Sequence, residues 1–293
     1  MSKTMSAWDL VSQPPAPLII NLAPTGMVPS RTQTPNIPLA PREIISDVCR
    51  CIDLGASMVH LHARSEDGSP TDDPDIYAEI ITGIRVHAPE VIIVTTTSGR
   101  CGFTIEQRAS TLYLDGMAKP DMASLTPGSM NFSSGVSINE PDTIRHLAEI
   151  MKEKGIKPEL EIFDLGMLNF ALVLIDKGYI DPPFYFNIIL GNMASVQAKL
   201  LHLAAIINDL PPQSCWSLGG IGRFQSHANA LGVVIGHGVR VGLEDNLWFD
   251  AERTRLAGNA DLVERIVRQA ASFNRDIAQP IDVRQRLGLG SMP

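Results

Sequence analysis

The chain has 293 residues, 44% of them hydrophobic and 19% charged, with a formal net charge of −8 at neutral pH. This apolar content is enough for a large core and excludes a chain that is disordered throughout. The acidic balance argues against nucleic acid or an anionic membrane as the main partner, because either would need a basic face. Segment 1–17 contains three prolines and no apolar run of signal-peptide length, so we expect it to be flexible.

Neither a membrane span nor a disulfide is expected. No stretch approaches the roughly 20 apolar residues that a transmembrane helix needs. The four cysteines, Cys49, Cys51, Cys101 and Cys215, lack the spacing of a zinc site. Cys49 and Cys51 are separated by one residue in a helical pattern and therefore point to different sides of it. We expect reduced thiols in a cytoplasmic protein.

Eight short apolar runs follow one another from residue 18 onward, and most are bounded by Gly, Pro, Asp or Asn, as is typical of buried parallel strands. They cover residues 18–23, 58–63, 91–97, 122–125, 159–163, 184–190, 215–218 and 239–243. Helical patterns lie between or after them, at residues 41–54, 74–86, 140–154, 165–177, 195–208, 225–235 and 261–276. This alternation indicates an α/β fold, a closed (β/α)8 barrel of the TIM type, with an open sheet carrying extra strands as the alternative.

The length fits one such barrel, because barrels of this type run to about 250 residues as a single domain. We therefore expect a flexible segment at 1–17 and one barrel domain over 18–293 that includes a C-terminal extension. In these barrels the chemistry lies where the strands end and the following loops begin.

The second strand places His60 and His62 at alternate positions. Side chains alternate along a strand, so both imidazoles face the same way, into the mouth of the barrel. Two imidazoles so placed can bind one metal ion. The alternative is a pair of ordinary core or surface histidines.

Strands three to five end in polar residues. Thr97 and Thr126 follow strands three and four in hydroxyl-rich segments, which can hydrogen-bond a substrate but are also typical of ordinary turns. Strand five carries Glu159 and Glu161 at alternate positions, and acids inside a strand are uncommon enough to suggest a functional face.

The last two strands add a glycine-rich turn and two acids. Gly220 and Gly222 follow strand seven and could cradle a phosphate before the next helix, although the pattern is not the dinucleotide fingerprint. Glu244 and Asp245 follow strand eight. Glu244 would complete a site of two histidines and one carboxylate, whereas the alternative is an acid that favours the start of a helix.

Four sequence strings together resemble the β-keto acid cleavage enzymes, whose best-known activity is 3-keto-5-aminohexanoate cleavage. They are residues 59–64, 123–132, 158–164 and 240–246, and the similarity extends from about residue 18 to residue 278.

The resemblance implies a barrel with one Zn²⁺, or another divalent metal, held by His60, His62 and Glu244. It also implies acetyl-CoA as co-substrate, acetoacetate and a new acyl-CoA as products, and a homotetramer. Asp245 would be the general base and Arg240 would orient the charged groups. Thr97, Thr126 and Glu161 would line the substrate pocket, and Gly220 and Gly222 remain the candidates for binding the cofactor.

The loop after the first strand departs from the members that use an amino-substituted keto acid, which have an acidic residue there. Here no carboxylate occurs between residue 18 and Glu43, and Arg31 lies in the loop instead. We expect a preference for neutral or anionic keto acids.

Two other functions are alternatives to β-keto acid cleavage. A barrel hydrolase of the amidohydrolase kind would have its histidine pair on the first strand and further histidines after strands five and six, whereas His146 and His202 lie in helical patterns. A ligand-binding barrel without catalysis would need no general base, which the Glu244–Asp245 pair argues against.

Overall fold

The computed structural model describes residues 16–133 and 135–290. The predicted N-terminal segment therefore lies outside the described residues except at its last two positions. The carbonyl oxygens of Ala16 and Pro17 accept hydrogen bonds from Arg275 and Arg286, at 3.0 and 2.7 Å.

Eight parallel strands form a closed barrel in which each strand pairs with the next and β1 pairs with both β8 and β2. Their bounds are β1 Ile19–Leu22, β2 Met58–Leu61, β3 Ile92–Thr95, β4 Met122–Leu125, β5 Lys157–Ile162, β6 Phe184–Leu190, β7 Ser214–Gly220 and β8 Gly238–Val241. Two short antiparallel pairs, Ala63–Arg64 with Pro70–Thr71 and Met130–Phe132 with Gly135–Ser137, lie in the loops after β2 and β4. The predicted TIM barrel is confirmed, and the open sheet is wrong.

The helices surround the barrel. They are α1 Pro41–Asp53, α2 Pro74–His87, α3 Ile105–Arg108, α4 Pro141–Lys154, α5 Leu165–Asp176, α6 Leu200–Asn208, α7 Gln225–Ile235, α8 Asn259–Ser272 and α9 Pro280–Leu287. Among the described residues, no helix is both long and apolar enough to cross a membrane. The sequence did not predict α3 or α9, because one is a single turn and the other is short and largely polar.

Local sequence explains why the predicted helices begin where they do. In α1, Pro41 occupies the first turn, and the Glu43 carboxylate accepts hydrogen bonds from two backbone N–H groups before the helix, both at 3.0 Å. Its buried side chains, Ile44, Val48 and Cys51, recur at helical spacing. The helix predicted over 195–208 begins later, at Leu200, because the Gln197 amide instead donates to loop carbonyl oxygens.

Helix α9 covers the N-terminal end of the barrel. Val283 and Leu287 are fully buried and belong to the same apolar cluster as Ile19, Met58 and Met122, which begin their strands. Helix α9 therefore closes the N-terminal end of the barrel and forms its floor.

A buried ion cluster fixes this helix in place. The Arg284 side chain donates to the Glu90 carbonyl oxygen at 2.8 Å and to the Asp121 carboxylate at 2.9 Å. Arg85 binds the other oxygen of Asp121 at 2.9 Å.

The opposite end of the barrel carries the polar residues. After β8 the chain turns at Gly242, which has a φ of +154°, and a Cβ there would lie 2.0 Å from the Ala23 carbonyl oxygen. Only glycine fits this turn, which directs Glu244 and Asp245 into the mouth of the barrel.

Candidate active site

His60 and His62 meet Glu244 in the mouth of the barrel. His60 comes from β2 and His62 follows it directly, and both side chains are buried. Their Nε2 atoms are 3.2 Å apart, and His62 Nε2 is 3.3 Å from Glu244 Oε1. Donor atoms of a tetrahedral zinc site are separated by about 3.3 Å, given Zn–N distances near 2.05 Å. The three side chains are therefore spaced as the ligand set of one metal ion would be.

Glu159 fixes the orientation of His60. Its Oε2 lies 2.6 Å from His60 Nδ1, and its Oε1 accepts hydrogen bonds from Asn21 at 2.6 Å and Asn187 at 3.0 Å. The carboxylate and both amides are fully buried. A proton on Nδ1 leaves Nε2 free to bind a metal, which is the usual support of a metal-binding histidine. Burial disfavours the charged imidazole, but the Glu159 carboxylate outweighs it and raises the pKa of His60 to about 9.

Arg240, at the centre of the site, binds three carboxylates. Its Nε donates to Asp245 Oδ2 at 2.8 Å, and its two terminal nitrogens donate to Glu161 Oε1 at 3.1 Å and Glu244 Oε1 at 2.7 Å. Burial acts against its charge, but these acids hold the pKa of Arg240 well above its usual range. Burial raises the pKa of Asp245, although Arg240 opposes the shift.

The residues present fit a divalent cation. Glu244 Oε2 is buried and has no hydrogen-bond partner among the described residues. Burial would raise the pKa of Glu244, but Arg240 and the two histidines hold it well below its usual range, so the carboxylate is ionised, as a metal ligand would need to be. The carboxylates of Glu161, Glu244 and Asp245 contact Arg240 and that of Glu159 contacts His60, so the site is rich in the anionic oxygen atoms that a divalent cation favours.

A cavity of about 490 Å³ opens above this cluster. Among the hydroxyl residues predicted for the site, Thr126 lines it and donates to Glu161 Oε2 at 2.8 Å. Thr97 does not line it, and its place near the substrate stays a prediction. Its hydroxyl donates to the Ser124 carbonyl oxygen at 2.6 Å. Because side chains alternate, Thr96 and Ser98 face the cavity instead.

Gly220 and Gly222 lie where the loop after β7 packs closely. A Cβ on Gly220 would lie 2.8 Å from the Phe224 carbonyl oxygen, so this glycine permits close packing. Gly222 lines the cavity, but its N–H donates to the Asp245 carbonyl oxygen at 2.7 Å. The role of these two glycines in binding the cofactor stays a prediction.

Arg31 lies outside the cavity. It pairs with Glu43 and donates to the Pro35 carbonyl oxygen at 2.7 Å. The loop presents Met27, Val28 and Pro29 to the cavity instead.

Some site residues carry no sequence signal of their own. Glu159 stands out only as an acid in a strand, and nothing in its spacing relates it to His60. Asn21 and Asn187 look like ordinary strand residues, and only the closure of the barrel brings β1, β5 and β6 to one point.

The histidines that an amidohydrolase site would add do not gather here. His146 lies on the surface of α4 beside Glu149, and the ring of His202, in α6, accepts a hydrogen bond from the Gln197 N–H in the preceding loop.

A sequence model of the β-keto acid cleavage enzymes matches residues 17–289. The chain belongs to the β-keto acid cleavage enzyme family. The 3-keto-5-aminohexanoate cleavage enzyme of Fusobacterium nucleatum is 37% identical over 273 residues, which cover 93% of this chain and 98% of that protein. The 3-oxoadipate:acetyl-CoA acetyltransferase of Cupriavidus necator is 36% identical over 279 residues, which cover 94% and 96%.

The fold of this β-keto acid cleavage enzyme also matches a solved structure. The complex of ObcA with oxaloacetate superposes with a TM-score of 0.77 at 20% identity, covering 87% of this chain and 68% of that one. At this identity the likeness supports the barrel fold alone.

Proposed function

We propose that this β-keto acid cleavage enzyme reacts a β-keto acid with acetyl-CoA to give acetoacetate and a new acyl-CoA. Family membership supports this reaction, as does the acetyl-CoA acetyltransferase from Cupriavidus necator. The observation that carries the proposal is that His60, His62 and Glu244 line the same cavity as the Arg240–Asp245 pair.

His60, His62 and Glu244 would hold one divalent metal ion, which we propose to be Zn²⁺ on the basis of the nitrogen-rich ligand set. A metal in this position would supply a Lewis acid for the oxygen atoms of the keto acid.

Asp245 begins the reaction by removing a proton from the carbon between the ketone and the carboxylate. Arg240 holds the Asp245 carboxylate in place and favours its ionised form. The carbanion attacks the acetyl carbonyl carbon of acetyl-CoA, a C–C bond forms, and the CoA thiolate leaves.

In the second half of the reaction, the condensed β-diketone is cleaved at the ketone that came from the keto acid. The thiolate attacks the original acyl carbonyl carbon, the older C–C bond breaks, and Asp245 returns its proton to the released acetoacetate carbon. No covalent enzyme intermediate is needed. Cys215 is buried in β7, and burial raises the pKa of its thiol to about 12.

Thr126 and Glu161 extend the hydrogen-bond chain that positions the base. The Thr126 hydroxyl binds Glu161, which in turn accepts from Arg240. We assign Thr96 and Ser98, rather than Thr97, as the hydroxyls that face the keto acid.

We also propose a cytoplasmic homotetramer. All four cysteines are free thiols, which fits a reducing compartment. Met193, Leu200 and Leu201 are 68–78% exposed, and apolar side chains of this kind suit burial between subunits.

The test uses acetyl-CoA labelled with ¹³C in the acetyl group and a panel of β-keto acids. The label is expected in acetoacetate, and the keto acid's own acyl group is expected on CoA, both by mass spectrometry. A hydrolase would release free acids without a new acyl-CoA, and a binding protein would give no turnover. Either result would contradict the proposal.

A further inference from the structure

Arg100 lies at one side of the cavity and stacks on an aromatic ring. It follows β3, is half-buried, and places its guanidinium carbon 4.1 Å from the centre of the Phe132 ring. Phe132 packs edge-on against Phe163, with ring centres 5.8 Å apart. A cation stacked on a packed ring is held in position before any ligand binds.

Hydroxyl groups lie on the same side as Arg100. Ser98, Ser133 and Ser137 line the cavity, and they come from the loops after β3 and β4 that carry Arg100 and Phe132. A guanidinium with nearby hydroxyls suits a carboxylate, which accepts hydrogen bonds from both.

The carboxylates that line the cavity already bind an arginine. Among the described residues that line it, the carboxylates are those of Glu161, Glu244 and Asp245, and each binds Arg240. An ammonium group on a substrate would find no carboxylate on the outer walls, and a buried charge without a partner is costly.

We propose that Arg100 recognises a second carboxylate at the far end of the substrate, so that this enzyme acts on dicarboxylic β-keto acids. The inference rests on the proposed function and adds the class of substrate to it.

The other side of the cavity suits CoA. Ile189, Ile221 and Leu247 line it with apolar surface, and Arg253 adds a cation in the loop after β8. The barrel order separates this wall, from β6 to β8, from the wall that carries Arg100. Keto acid and CoA would therefore be recognised by different arginines.

The test compares the unaltered enzyme, Arg100→Gln and Arg31→Gln with dicarboxylic, neutral and amino-substituted β-keto acids of equal chain length at saturating acetyl-CoA. Arg31→Gln removes the same charge from a surface ion pair outside the cavity, so it is the matched control. The dicarboxylic acid is expected to be the best substrate of the unaltered enzyme and of Arg31→Gln. Arg100→Gln should lower its kcat/KM by about 10- to 100-fold, the loss of one charge-assisted contact, and change the neutral substrate by less than about threefold.

Three results would overturn the inference. They are an equal loss for all substrates in Arg100→Gln, a rise in KM for acetyl-CoA alone, and a preference of the unaltered enzyme for the neutral or amino-substituted acid. The second would assign Arg100 to a CoA phosphate.

Binding measured without turnover separates this inference from the proposed function. Adipate and hexanoate, which cannot react, are titrated calorimetrically into the enzyme and Arg100→Gln. Tighter binding of adipate that depends on Arg100 would support the inference even if no keto acid were cleaved. Cleavage of keto acids without any preference for adipate would sustain the function and refute the inference.

Discussion

At the scale of single residues, the environment of one imidazole decides whether the site can hold a metal. His60 can offer Nε2 only while Nδ1 keeps its proton, and the buried Glu159 carboxylate enforces that form at 2.6 Å. Asn21 and Asn187 hold the carboxylate in turn, so three residues outside the ligand set determine its geometry.

Glu159→Gln is expected to weaken metal binding by about 10- to 100-fold, because an amide no longer selects this tautomer. Competition with a chromogenic chelator measures the affinity, and circular dichroism checks the fold. Glu153→Gln, on the exposed surface of α4, is the control and should bind metal normally. Unchanged affinity in Glu159→Gln would show that the histidine needs no such support.

Asp245→Asn is expected to retain the metal but lose turnover by on the order of 10²–10⁴-fold, since the amide cannot accept the substrate proton. Steady-state kinetics and elemental analysis make the two measurements. Asp181→Asn, in an exposed pair with Lys152, provides the control. A kcat close to that of the unaltered enzyme would mean that another group is the base.

At the scale of elements, the sequence predicts the barrel strands well because each is a short apolar run between turn residues. It also predicts that His60 and His62 share a face, since this depends only on alternation within β2. Thr97, which the family resemblance places near the substrate, follows the end of β3 at Thr95, and alternation turns Thr96 and Ser98 towards the cavity. The sequence misses α9 because a short helix with few apolar positions has almost no periodic signal.

The buried face of α9 is expected to contribute strongly to stability. Leu287→Ala should lower the free energy of unfolding by about 2–5 kcal/mol, because it leaves a cavity against the barrel floor. Ile281→Ala, on the same helix but 46% exposed, should change it by no more than about 0.5 kcal/mol. Denaturant unfolding measures both, and equal effects would argue that α9 does not pack as described.

At the scale of the whole molecule, the site and the core are separate. The ligand set lies at the C-terminal ends of the strands, whereas the large apolar clusters lie between strands and helices and around the floor. Stability of the barrel should therefore depend little on the metal.

Removal of the metal by a chelator is expected to abolish activity while leaving the far-ultraviolet circular dichroism spectrum unchanged. Added Zn²⁺ should restore activity, but not in His62→Ala, which lacks a ligand. Full activity in metal-free enzyme would refute the ligand assignment, and loss of the spectrum would show that the metal also holds the fold.

The floor formed by α9 has a consequence for the order of events. With that end of the barrel filled by side chains, the 490 Å³ cavity is entered from the other end, and the keto acid must reach the deeper position beside His60 before CoA occupies the entrance. Acetoacetate, formed at depth, would then be the last product to depart. Product inhibition should reveal this sequence: acetoacetate is expected to compete with the keto acid for the empty enzyme but not with acetyl-CoA. Entry from one end of the barrel would thus give this two-substrate reaction an ordered kinetic mechanism.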